Sequence, residues 1–182
     1  MFLKEMTWDI HLRLEKRLAV KDRFSNVDLY SAHLSQLLAF HDAAEKQWGG
    51  LLQRVLDDYP ARLKAPLLKR DIEALGGVLP SSWPRIPDAA DPAAALGGFY
   101  VLEGATLGGR HLLPIVERKL GLSAGRGASH LASYGSEVQP MWRKFRATVE
   151  AECATPQTRD RAGAMARGAF LALETWLCGD LS

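Results

Sequence analysis

The sequence predicts an all-α fold, and three observations predict it. Leu and Ala, both strong helix formers, number 28 and 25 of the 182 residues. Val, Ile and Thr together number 18, few for a sheet protein, and no stretch sustains an alternation of period two. Apolar residues recur instead at helical spacing, beginning with Leu3, Thr7, Ile10, Leu14 and Leu18. A chain of this size can bury roughly 70% of its unfolded surface in one core. The expectation is a single-domain helical bundle over residues 1–182.

The elements follow in order. A first helix is expected from Leu3 to Val20, and a second from Val27 to Trp48 with Tyr30, Leu34, Leu37, Leu38, His41 and Ala44 on one side. Gly49-Gly50 is placed to loosen or break the second. A third segment covers Leu51 to Tyr59, before Pro60, and a fourth Arg62 to Leu75, stopped by Gly76-Gly77. Pro80, Pro84 and Pro87 make residues 78–90 a loop. Asp91-Pro92 reads as an N-cap followed by a first-turn proline. It opens a helix to Leu120 that contains Gly97, Gly98, Gly104, Gly108, Gly109 and Pro114, so this helix is expected to bend or break. A glycine-rich loop spans Gly121 to Gly127, a helix near Ser136 to Cys153 carries Trp142, Phe145 and Val149, and Thr155-Pro156 starts a last helix to Leu177.

Composition narrows the function classes. A net charge of +2 supplies no concentrated basic face of the kind nucleic acid requires. The two cysteines, Cys153 and Cys178, make neither a disulfide framework nor a zinc cluster and read as buried small hydrophobes in a reducing compartment. No apolar run reaches the length of a membrane span, and Met1 to Arg17 is charged throughout with no signal-peptide core, so the expected location is the cytoplasm with no membrane partner.

The most informative segment is Gly97 to Arg110. Glycines at 104, 108 and 109 inside a helix together cost roughly 3 kcal/mol relative to alanine. Two explanations would offset that: close helix–helix packing, the commoner reason, or close approach of the backbone to a ligand. Gly104 and Gly108 share a face at i,i+4. His11, on the edge of the first helix's apolar stripe, has Glu15 at i+4, where the carboxylate can orient a metal-bound imidazole. Lys4 lies on nearly the same side, roughly 10 Å along the axis. The ordinary alternatives are a satisfied core histidine and a solvated lysine. His41 and Glu45 repeat the spacing, but no Glu-x-x-His pair accompanies them, so His41 is assigned to the core or a structural hydrogen bond. His33 is expected at the surface, His111 in helix packing or solvent, and His130 near a loop without a special role.

With those residues in view, the chain resembles the haem oxygenase family. Leu3-Lys4-Glu5-Met6-Thr7-Trp8-Asp9-Ile10-His11-Leu12-Arg13-Leu14-Glu15 resembles the family's proximal helix, and Tyr100-Val101-Leu102-Glu103-Gly104-Ala105-Thr106-Leu107-Gly108-Gly109 its distal helix. Phe145-Arg146, Thr155-Pro156 and Ala169-Phe170 are similar to the family's C-terminal part. The style is that of bacterial members, including those paired with bacterial phytochromes. The resemblance implies haem, as substrate and cofactor, held between a proximal N-terminal helix and a kinked glycine-rich distal helix. It implies cleavage with O₂ to biliverdin, CO and Fe²⁺, and electrons from a ferredoxin- or flavodoxin-type reductase system. A biliverdin-accepting phytochrome is a further partner it admits.

By the same resemblance His11 is the iron ligand, Glu15 orients its imidazole, and Gly104 and Gly108 form the catalytic wall, with Gly109 beside them. Lys4, Arg146 and Arg143 bind propionates, and Phe170 packs on the haem edge. The chain departs from several members at Ala105, where they carry an aspartate that organises water. Glu103 and Arg110 are the candidates to support waters instead. Three rivals stand beside this reading: a haem carrier or sensor of the same fold that leaves haem intact, a di-iron oxidase-like protein using His11, Glu15, His41 and Glu45, and a helical interaction module with no cofactor.

Overall fold

The computed structural model describes residues 1–18 and 20–179. Among these, helices carry the architecture: α1 (Phe2–Leu18), α2 (Val20–Arg23), α3 (Val27–Leu52), α4 (Tyr59–Arg62), α5 (Ala65–Ala74), α6 (Pro92–Leu120), α7 (Ser129–Ala132), a 3₁₀ turn (Gly135–Glu137), α8 (Val138–Glu152) and α9 (Pro156–Cys178). The expected run of the first helix to Val20 passes through Ala19, which lies outside the described residues, as do Asp180 to Ser182.

Local chemistry accounts for the ends. The Asn26 side chain accepts from Leu29 N at 2.8 Å, and Asp91 accepts from Ala94 N at 2.8 Å ahead of Pro92. Thr155 and Thr158 form a reciprocal capping box. Gly121, at φ +67°, closes α6 in the left-handed region.

Three expectations are corrected. The second helix does not break at Gly49-Gly50 but continues to Leu52, because Trp48, Gly49 and Leu52 are buried and packing overrides glycine's weak propensity. The segment after it is not helical to Tyr59; it is a run of turns ending in the short α4. The glycine-rich helix does not break: α6 runs 29 residues through its five glycines and Pro114.

The apolar side chains form two clusters. One joins α1, the C-terminal half of α3, the N-terminal half of α6, α8 and α9 around Trp48, Phe99 and Phe145. The other joins the N-terminal half of α3, α5, the C-terminal half of α6 and α7 around Tyr30, Leu68 and Val116. Each fully buried large side chain contributes about 1.5–3 kcal/mol. Residues 104–109 fall at the seam between the two clusters, where α6 contributes no large side chain to either.

α1 is clamped to α9 along its length. Arg13 binds both carboxylate oxygens of buried Glu174, with Nη2–Oε2 at 2.6 Å, and Arg17 reaches Oε1 at 3.1 Å. Arg167 donates to the Met6 carbonyl and the Asp9 carboxylate, both at 2.7 Å. The hydrogen bond from Arg167 also holds the Asp9 carboxyl down at about 2.

His33 is buried, not at the surface, and its Nδ1 accepts from Arg23 Nη1 at 3.2 Å. Burial, with the Arg23 charge and His130 adding to it, pushes its pKa down to about 3. The folded protein therefore holds His33 neutral, while the unfolded chain protonates it below about pH 6.5. Stability is expected to fall as pH drops through the window from about 6.5 to 3, losing about 2 kcal/mol by pH 5 from this residue. Urea midpoints at pH 7 and pH 5 check this: His33→Leu should flatten the difference, and an undiminished acid loss in that variant counts against it. His130 is also more constrained than expected. Its Nδ1 lies 3.0 Å from Asp71, whose carboxylate also takes the Ser129 and His130 amides.

Candidate functional site

Lys4, Thr7 and Trp8, His11 and Glu15 follow one another at single-turn intervals and form one stripe of α1. The His11 side chain is 41% exposed. Its ring lies parallel to the Trp8 indole, with centroids 5.8 Å apart, and meets the buried Phe170 ring edge-on at 5.7 Å. Nε2 stands 3.8 Å from the Glu15 carboxylate, beyond a direct hydrogen bond, and Nδ1 is buried with no partner. The imidazole thus has one nitrogen near a carboxylate and a buried one without a partner. Lys4 Nζ lies 5.0 Å over the exposed Trp8 ring.

The glycines of α6 divide sharply. A Cβ on Gly97 would stand 2.0 Å from the Ala162 carbonyl oxygen, one on Gly98 would stand 2.7 Å from the Trp48 ring, and one on Gly109 would stand 2.6 Å from the Leu131 carbonyl oxygen. These three are packing glycines, so Gly109 belongs to the contact with α7 and not to an open wall. A Cβ on Gly104 or Gly108 would meet nothing within 4 Å. Helix packing, the commoner reason for such glycines, does not account for these two.

Tyr100 precedes Gly104 by one turn on the same face. Its phenol faces the Thr7 hydroxyl of α1 and the Arg146 guanidinium of α8, and its pKa is raised by burial against the pull of those two groups. α1 and α6 both pack on α9 but scarcely touch each other. Tyr100 and Thr7 mark where they do approach. One turn further along each helix stand His11 on α1 and bare Gly104, followed by exposed Ala105 and Gly108, on α6.

Arg146 sits beside Tyr100 with its Nε buried and unpartnered and its Nη2 3.6 Å from Glu150. Arg143 lines the same depression one turn earlier on α8. Arg146 and Lys4, which lies one turn before Thr7, put cations near the point where Tyr100 faces Thr7. Glu103 is not a water-supporting group on the open face: it is buried behind α6, 2.6 Å from both Arg62 Nη1 and Tyr134 Oη. His41 makes the structural contact expected of it, 3.3 Å from Glu45, whose carboxylate takes the Lys64 and Ala65 amides. Glu45 is thereby committed to capping α5. Among the described residues no three His, Cys, Asp or Glu side chains group to hold a metal, so the four-ligand di-iron cluster does not assemble.

The family model described as Heme oxygenase matches residues 1–178. The chain belongs to the haem oxygenase family. The haem oxygenase of Xanthomonas campestris pv. campestris (strain 8004) is 30% identical over 146 residues, 80% of this chain and 84% of that one. The NO- and CO-bound haem oxygenase of Neisseria meningitidis has the same fold, with a TM-score of 0.83 at 23% identity, over 96% of this chain and 87% of that one. The haem oxygenase of Leptospira interrogans gives 0.78 at 17% identity, covering 97% and 96%. Haem oxygenase 2 of Chlamydomonas reinhardtii, crystallised without haem, gives 0.73 at 18%, covering 96% and 94%. The all-α haem oxygenase fold and its oxidoreductase class follow. No described helix is long and apolar enough to cross a membrane.

Sequence reasoning passed over two features around this candidate site of the haem oxygenase. Tyr100 has a simple signal, its i−4 spacing from Gly104. The pairing of Arg62 with Glu103 has none, since the two lie 41 residues apart.

Proposed function

We propose that the protein binds haem between α1 and α6 and cleaves it with O₂ to biliverdin, CO and Fe²⁺, using electrons from an external ferredoxin- or flavodoxin-type donor. The observation that carries this reading is that Gly104 and Gly108 lie bare on a face of α6 that no packing requires, one turn beyond Tyr100, whose phenol faces Thr7, one turn before His11.

Haem, at once substrate and cofactor, supplies the iron that activates O₂ and the ring that is oxidised. His11 would offer an imidazole nitrogen to that iron, a ligand suited to O₂ chemistry without thiolate push. Glu15 favours the required ring orientation through its charge or a bridging water. Trp8 and Phe170 hold the imidazole plane from two sides. Gly104 and Gly108 would let a flat ring lie close against helix backbone with room for a diatomic molecule. Lys4, Arg146 and Arg143 match two propionates by charge-assisted hydrogen bonds, and Tyr100 adds a phenolic donor at the same end. With haem bound, these anchors would set how the ring is turned in its plane, and with it which meso carbon is exposed to oxidation. Ala105 puts no carboxylate on the open face, and of the two candidates to support water there only Arg110 is exposed.

The test is a haemin titration of the purified protein followed by reductant under O₂. A Soret band that forms and then gives way to bilin absorption supports the proposal. A stable band under turnover conditions points to a carrier or sensor, and no spectral response removes haem altogether. Arg146→Ala is expected to weaken haem affinity about tenfold, the equivalent of about 1.4 kcal/mol, in the same titration.

A further inference from the structure

The bare stretch of α6 poses a mechanical question. Between Leu102 and Gly109 the helix has glycine at 104 and 108 and alanine at 105, so its open face has no side chain to lock its roll or its height. Whatever holds it acts from behind. The side chain there is Glu103, 1% exposed and adjacent to the first bare residue. Its two carboxylate oxygens are claimed separately: Oε2 by Arg62 Nη1 at 2.6 Å and Oε1 by the Tyr134 hydroxyl at 2.6 Å. Its carbonyl accepts from the Thr106 hydroxyl at 2.7 Å, an internal back-bond of the kind that bends a helix.

Arg62 is itself fully buried and has more than one partner. Its Nε and Nη2 grip the Asp58 carboxylate at 2.7 and 2.9 Å, and Nη2 also reaches the Met141 carbonyl of α8 at 3.3 Å. A single guanidinium thus ties the distal stretch of α6 to α4 and to the start of α8, the helix that carries Arg143 and Arg146. An apolar pair of similar volume would fill the same space without a directional hold. A fixed fork of donors specifies rotation as well as distance.

We propose that the buried Arg62–Glu103 pair is a positioning device that fixes the bare stretch of α6 over the haem, a proposal that rests on the haem site described above. Neither residue touches the reacting atoms; they act through the backbone of Gly104 to Gly108.

The experiment uses the full chain in two states. In haem-free protein, Glu103→Gln should speed amide hydrogen exchange at residues 104–110 at least tenfold while leaving α9 unchanged. In haem-loaded protein it should broaden the distribution of bilin isomers, a ratio that loss of folded protein alone does not move. Tyr134→Phe removes one of the two anchors and should give a smaller rise confined to the same amides, which keeps the test decisive should Glu103→Gln fail to fold. Wild-type exchange at 104–110 in both variants, or a uniform rise across all helices, overturns the proposal. A wild-type protein that leaves haem intact would sink the proposed activity instead, and the exchange result would still decide the positioning role.

Discussion

Gly104→Ala is expected to stabilise the haem-free protein by about 1 kcal/mol and to lower haem turnover about 100-fold. The two effects have opposite signs because two different surfaces are involved. For folding, the added methyl enters open space and removes glycine's helix penalty, since nothing lies within 4 Å of it. For function, the same methyl projects from the wall against which the ring would lie, and a displacement of about 1 Å at a reacting centre is enough for a loss of that size. Gly97→Ala provides the contrast. Its methyl would stand 2.0 Å from the Ala162 carbonyl oxygen, a backbone atom of α9, so the helices must separate. Overpacking of this kind costs about 1–3 kcal/mol, and the folded fraction should retain turnover. Thermal melts and single-turnover bilin formation on both variants check the pair. Wild-type turnover in Gly104→Ala would place the ring elsewhere.

His11→Ala should remove the imidazole signature from the ferric spectrum and reduce turnover by about 100-fold or more, with partial recovery on adding free imidazole. The substitution removes the ring contacts to Trp8 and Phe170, but Phe170 stays in the buried core and Lys4 stays over Trp8, so the helix should survive. Recovery by imidazole separates a lost ligand from a lost fold, because a small molecule can refill the first and not the second. An alanine variant with an unchanged axial spectrum would assign the iron to another residue.

Much of the fold was legible because helix formation is local. The Asn26, Asp91 and Thr155 caps act within three residues, and the Leu3, Thr7, Ile10, Leu14 stripe is set by helical pitch alone. Misreadings arose where distant packing overruled local preference. Gly49 stays helical because its neighbours Trp48 and Leu52 are buried. His33 is drawn inside by Arg23, which also binds Gln36 and the Leu177 carbonyl from far along the chain. In the site, the spacing of His11 and Glu15 and of Gly104 and Gly108 could be counted. Which glycines face protein and which face open space could not, because the answer lies in Ala162, Trp48 and Leu131.

By itself the sequence determined an all-α chain with a histidine helix and a glycine helix, since pitch, caps and composition are properties of neighbouring residues. Tertiary structure alone decided that α1 and α6 both lean on α9 while scarcely touching each other, that Gly109 packs while Gly104 and Gly108 do not, and that Arg62 reaches Glu103 from behind. Those outcomes depend on contacts between residues tens of positions apart, and no local pattern encodes them.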